Sequence, residues 1–318
     1  MKLSDDQWNL AHLQAHLQAA AELEAWTIPY YMAAMLSIVD RSSKAYQLVQ
    51  SVVNQEMLHL QLVSNIANAY GYSPVLRPDA FAYKGKIPHL DFALDPDNPT
   101  LIFTPWSAEI GPLDERRVNG MCLVEYPKWD TGEKPTYRDD VREYGSIGEF
   151  YDAVEFGARQ LASQIVGGVN QLDMFSAFYR NTPKMTVQAR GDAGWPQVAM
   201  LIDIIRDQGE AAKDADAIDV AFQNTADDSE PQDSHYEKFC QIRENPMRPL
   251  VYPVKDPAEY TEDDSKRLDI LRENFAEFQV VLRELFVGRN PDRFVPLMVT
   301  IGANILTCWK SGVTPRFT

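Results

Sequence analysis

Apolar side chains recur at three- and four-residue intervals through most of this chain, the period of a helix that buries one face. The first long helical pattern runs from about Asp6 to Asp40, with Pro29 inside it, where a kink or irregular turn is expected. The second runs from about Ser43 to Tyr70, and Gly71 with Pro74 supplies its stop signal. From Ser73 to about Asp140 the period is lost. That stretch is rich in Pro, Asp and Gly, and carries short apolar runs such as "LIFTPW" and "MCLVEYP". It reads as a long insertion with a few short strands. Helical pattern returns at "YGSIGEFYDAVEFGARQLASQIVGG", where Ser146 and Glu149 have the spacing of a capping box. Further helices are expected over Gly191 to Lys213, from "SHYEKFCQIRENP", and over about Lys266–Val287 and Asp292–Ser311. Between them, Asp214 to Asp233 is acidic and polar and reads as a loop. The fold class is therefore mainly α: a four-helix bundle, about residues 1–245, with an insertion at about 73–140 between its second and third helices. A helical extension, 246–318, is expected to pack on it.

A helical core makes certain acids conspicuous. Glu22 and Glu24 lie within "ELEAWTIPYYMAAMLSIVD", and Glu56 with His59 within "NQEMLHLQLVSNIANAYGYSP", both strongly apolar. An unpaired carboxylate there costs several kcal/mol or neutralises, so a salt bridge, a hydrogen bond or a metal must compensate it. Glu56 and His59 form E-x-x-H, which on a helix presents both side chains to one face. Two such pairs, with one further Glu from each of two other helices, make a di-metal carboxylate site inside a bundle. Further donors are available in Glu24, Glu149, Glu210 and His235. Oxygen and nitrogen donors without thiolate suit iron or manganese, and zinc less distinctively.

Ordinary structural roles compete with each assignment. Glu149 fits the N3 position of a capping box, Glu210 a surface acid near a helix end, and His235 an N-cap or packing beside Tyr236 and Phe239. Glu22 and Glu24 face different sides of one helix, so at most one points inward. His12 and His16, an i, i+4 pair, read as solvated, and His89 has no evident role.

Composition narrows the function classes. The 318 residues, 45% hydrophobic, can build a full-sized core. A formal net charge of −16 disfavours nucleic acid and anionic membrane as partners. No apolar run is long enough to span a bilayer, and "MKLSDDQWNLAHLQ" does not read as a signal peptide, so a cytoplasmic location is expected. Cys122, Cys240 and Cys308 give neither a disulfide framework nor a metal knuckle.

Five stretches, "AAELEAWTIPYYMAAMLSI", "EMLHLQLVSNIANAYGYSP", "YGSIGEFYDA", "IIRDQGEAA" and "SHYEKFCQI", together resemble the ferritin-like domain family named after iminophenylpyruvate dimer synthase. They cover roughly residues 10 to 245. The resemblance implies a ferritin-like bundle with a metal centre and selects Glu24 over Glu22. Carried over residue by residue, it gives Glu24, Glu56, His59, Glu149, Glu210 and His235 as ligands of two irons, or of manganese. Glu210 and His235 stand 25 positions apart where a regular helix would place them three apart, so the fourth helix must break and return. Tyr31, seven positions after Glu24, shares its face and is a candidate for lining the substrate pocket or donating to a metal-bound oxygen.

The reaction class implied is metal-dependent oxidation of a small organic molecule, an aromatic amino-acid-derived one being a candidate, with dioxygen or peroxide as candidate oxidants and a homo-oligomer as a candidate assembly. Trp106, Phe81, Phe92 and Tyr83 of the insertion are candidates for a lid. Iron oxidation or storage, and a metal-free scaffold, are the competing classes.

Overall fold

The computed structural model describes residues 8–127, 144–175, 184–209, 230–289 and 292–318. Two long helices form its spine. α1 (Leu10–Leu36) and α2 (Lys44–Ala69) pack along their length. From Ala19 to Leu36 every residue of α1 is buried, because α2, α4 and α8 and the turns of the insertion cover it on all sides. A helix so enclosed needs no amphipathic stripe. α1 stays helical through Pro29, so no irregular turn interrupts it there. Thr27 Oγ1 donates to Glu24 O at 2.7 Å in the turn before, and Trp309 Nε1 donates to Ala33 O at 2.8 Å in the turn after.

The second half of the bundle is built from four shorter helices: α3 (Glu115–Val124), α4 (Ile147–Gln160), α5 (Trp195–Gly209) and α6 (His235–Glu244). α3 packs on α6 and α4 on α5, while α2 touches both α5 and α6. These are the pairings of two antiparallel bundle helices, each interrupted near its middle: α3 and α4 are the halves of the third, α5 and α6 of the fourth. The fourth helix thus breaks as expected; the break in the third was not anticipated.

Among the described residues the insertion contains no strand, contrary to the sequence expectation. Isolated bridges join Ile38 to Val251 and Leu90 to Tyr144. Elsewhere the described part of the insertion is irregular chain carrying short 3-10 turns and α3. The run "MCLV" is helical because Asp114 N-caps α3, accepting from Arg117 N at 3.0 Å, and the helix places Met121 to Val124 in the core before ending at Glu125. The proposed lid aromatics are dispersed. Phe81 packs on Phe275, Tyr83 on Trp26 and Phe317, and Phe92 with Trp106 lines a separate open cleft of about 640 Å³. Beyond the bundle, α7 (Glu262–Phe286) packs on α2, and α8 (Phe294–Lys310) on α1 and α7. No described helix is long and apolar enough to cross a membrane.

Candidate metal centre

At the level where the third and fourth helices are interrupted, three carboxylates and two imidazoles converge. Glu24 comes from α1, and Glu56 and His59 from one face of α2. Glu125 is the residue that closes α3, and His235 is the first residue of α6, aimed by the capping box of Ser234 and Glu237. All five side chains are buried. His59 Nδ1 lies 3.6 Å from Glu24 Oε2 and 4.0 Å from Glu56 Oε1. His235 Nδ1 lies 2.9 Å from Glu56 Oε1 and 3.6 Å from Glu125 Oε2. The imidazole rings are near-parallel, with centroids 5.1 Å apart, and ligand atoms of Glu56, His59 and His235 all fall within 4.8 Å of one another.

Each carboxylate is held in the same way. One oxygen accepts a hydroxyl hydrogen bond and the other turns toward an imidazole. Tyr151 OH donates to Glu24 Oε1. Thr27 Oγ1 donates to Glu56 Oε2 at 2.5 Å, and Tyr31 OH to Glu125 Oε1 at 2.5 Å. Burial, together with the Glu125 and Glu56 charges, pushes the Tyr31 phenol well above its usual range, so it remains a donor.

The imidazoles are oriented from outside. His59 Nε2 meets Gln208 Oε1 at 3.0 Å, and His235 Nε2 meets Gln55 Oε1 at 3.1 Å. Lys238 Nζ also reaches Gln55 Oε1, at 3.4 Å. An ammonium can only donate, so the Gln55 atom there is the carbonyl oxygen, and His235 Nε2 must carry its hydrogen. His235 Nδ1 then presents a lone pair, and it makes no hydrogen bond although a Glu56 oxygen is close. Two lone pairs facing each other in a buried site require a proton or a metal between them. Backing a ligating imidazole with a polar acceptor is how metal sites fix its tautomer. The residues present therefore fit a metal.

Electrostatics agree. Burial raises the Glu56 carboxyl well above the usual carboxylate range, and the Glu125 and Glu24 charges add to the shift. For Glu24, burial is outweighed by the His59 and Tyr151 contacts, which hold its carboxyl below the ordinary value. A cation between these groups relieves the repulsion. The cavity they enclose, bounded also by Ile147, Ile205 and Gly209, measures about 10 Å³, room for an ion-sized occupant.

Of the residues expected from sequence, Glu24, Glu56, His59 and His235 come together. Glu22 does not: it accepts from His89 Nε2 at 2.9 Å and Gln18 Nε2 at 2.8 Å, with Arg77 at 3.5 Å. That also gives His89 a role. Glu149 stays at the start of α4, where its Oε2 accepts from Gly145 N at 2.8 Å, and it is not among the residues lining the cavity. Ser146 accepts from Glu149 N at 3.1 Å, but the Glu149 carboxylate bonds Gly145 N and not the N-cap residue, so only half of a capping box forms; Glu125 is the carboxylate of the third helix that stands beside His235. Glu210 lies outside the described residues. Tyr31 does not line the cavity either, and acts on it through Glu125. His16, expected to be solvated, is fully buried and bonded to Tyr144 OH at 2.8 Å.

A helical bundle with a buried carboxylate–imidazole cluster at its centre is the architecture of the ferritin-like class, compatible with di-metal proteins. The sequence profile described as Ferritin-like matches residues 17–244, and the chain belongs to that family. The crystal structure of a ferritin-like protein from Caulobacter vibrioides is similar: its sequence is 44% identical, with 98% of this chain and 99% of that one covered and a TM-score of 0.84. No curated protein matches the sequence.

Proposed function

We propose that the protein is a di-iron oxidoreductase that uses dioxygen or peroxide to oxidise a small organic molecule. The paired donor arrangement supports this reading: Glu24 with His59 on one side, Glu125 with His235 on the other, and Glu56 reaching both imidazoles. Glu24 and His59 would hold one ion, Glu125 and His235 the other, and Glu56 would be shared. Glu210, next in sequence to Gly209 at the cavity wall, would complete the set. Carboxylates outnumbering imidazoles, with no thiolate, favour iron or manganese over zinc. Bound iron would supply the redox equivalents that reactions of dioxygen or peroxide require.

The protein's own contribution is positional. Thr27, Tyr31 and Tyr151 each fix one carboxylate oxygen, leaving the other for the centre, and Gln55 and Gln208 fix the rings. Ile147 and Ile205 form the apolar part of the wall and exclude water from it. An aromatic amino-acid-derived substrate is the class indicated by the likeness to the iminophenylpyruvate dimer synthase family.

One observation favours a second reading. The central cavity admits an ion but not an organic molecule, so iron itself is an alternative substrate. The two readings separate in an oxygen-uptake assay. Protein from iron-supplemented cells is first analysed for metal, and two irons per chain are expected. Single-turnover oxygen or peroxide consumption is then followed with a panel of aromatic amines and imino acids, and with ferrous ion alone. Consumption that depends on an organic compound supports the oxidoreductase. Consumption with ferrous ion only replaces it with iron oxidation, and the absence of stoichiometric iron or manganese overturns both.

A further inference from the structure

The seam between α3 and α6 holds a second group of reactive side chains that the metal reading does not use. The two helices run antiparallel, and their register is fixed at both ends of a short stretch. At one end Arg243 Nε donates to Asn119 Oδ1 at 2.9 Å. At the other the Tyr126 and Tyr236 rings meet edge to face at 5.9 Å. Cys122 lies three residues after Asn119 and four before Tyr126; Cys240 lies three before Arg243 and four after Tyr236. The register therefore sets the two cysteines opposite each other, close enough for their thiols to interact.

Their surroundings differ. Cys122 is fully enclosed, whereas Cys240 retains partial exposure. Burial pushes the Cys122 thiol well above its ordinary value. Cys240 is held below it, chiefly by the hydrogen bond from Cys122, with a further one from the Tyr236 hydroxyl. An accessible sulfur that favours the thiolate, beside a buried thiol, is the arrangement in which one cysteine reacts and its neighbour resolves the product. Cys308 provides the contrast: it is buried, remote from both in sequence, and burial raises its thiol to about 11.

We propose that Cys122 and Cys240 are a peroxide-oxidised pair that closes to a disulfide across the α3–α6 seam. The Cys240 thiolate attacks one oxygen of a hydroperoxide. The O–O bond breaks, hydroxide or alkoxide leaves, and the sulfur is oxidised to a sulfenic acid. Cys122 then attacks that sulfur and loses its proton; the S–S bond forms and water departs. A dithiol reductant returns both thiols. Glu125 lies one turn beyond Cys122, and His235 five residues before Cys240, so the bond fastens together the two helix ends that carry these donors. The pair does not depend on the centre holding metal.

The test uses the full-length reduced protein, treated with hydrogen peroxide and then assayed for free thiols under denaturing conditions. Two of the three thiols should disappear. Non-reducing peptide mass spectrometry should find the Cys122 and Cys240 peptides joined within one chain, lighter by two hydrogens, with Cys308 still free. In Cys122→Ser, Cys240 should be trapped by dimedone as its sulfenic acid, and Cys240→Ser should not be trapped. Retention of all three thiols, preferential oxidation of Cys308, or a disulfide found only between chains overturns the proposal. The wild-type measurement decides it even if either serine variant fails to fold.

Discussion

Replacing Gln208 by Leu tests whether the outer hydrogen bonds set the centre's affinity for metal. Gln208 is fully buried in the last turn of α5, and its Oε1 lies 3.0 Å from His59 Nε2. Leucine has a similar volume, so packing is largely kept while the acceptor is removed. The His59 Nε2–H then faces an apolar neighbour. The tautomer that leaves Nδ1 free for metal loses its advantage, and the ring loses an orienting contact. Loss of such a partner weakens metal affinity by roughly 10- to 100-fold, or about 1.4–2.7 kcal/mol. The metal-free protein should also lose on the order of 1–3 kcal/mol of stability from the unsatisfied donor.

Affinity is measured by competition of Mn(II), as a probe, against a chromophoric chelator, and stability by urea denaturation of the metal-free form. Gln208→Glu, which keeps an acceptor, should stay closer to wild type in affinity than Gln208→Leu. An affinity for Gln208→Leu within about two-fold of wild type would refute the claim that this contact fixes the ligating tautomer.

Three further outcomes are expected. His59→Ala and Glu125→Ala should each sharply lower metal content, measured by elemental analysis, with far-ultraviolet circular dichroism largely unchanged; full metal content in either would remove that residue from the ligand set. Glu149→Ala should keep metal content and cost about 1 kcal/mol in denaturant unfolding, because it deletes an acceptor at a helix start; loss of metal would restore Glu149 as a ligand. His16, neutral in the fold, has its pKa lowered from 6.5 to about 4, chiefly by burial. The unfolded chain binds this proton first as pH falls, so the His16 contribution is complete above about pH 6.5 and fades toward pH 4, costing about 2 kcal/mol near pH 5. Denaturation of wild type and His16→Gln at both pH values should show the smaller acid sensitivity in the variant.

Much of the centre was readable because α1 and α2 are regular. E-x-x-H on a continuous helix shares a face by spacing alone, and Glu56 and His59 do so. Glu24 required the family likeness, since spacing could not separate it from Glu22; what separates them physically is that Glu22 has its own partners in His89, Gln18 and Arg77. Glu125 was not anticipated because "MCLVEYP" looks strand-like when read as a short apolar run ahead of a proline. Its local signal was Asp114, an N-cap with its helix running to Glu125, but a helix of that length amid Pro-rich turns carries little periodicity. Glu149 drew the assignment instead because α4 is the longer half of the third helix, and local sequence does not reveal that a bundle helix is in two pieces. His16 was misjudged for a related reason: whether a histidine near the start of a helix is covered depends on Tyr144, 128 residues away.

The interruptions divide the five donors into unequal halves. Glu24, Glu56 and His59 project from the interiors of uninterrupted helices, where displacement disturbs packing on both sides. Glu125 and His235 hang from helix termini, which distort at far smaller cost. Under the two-ion reading proposed above, ions should therefore enter one after the other, the position beside His59 filling more tightly than the position beside His235.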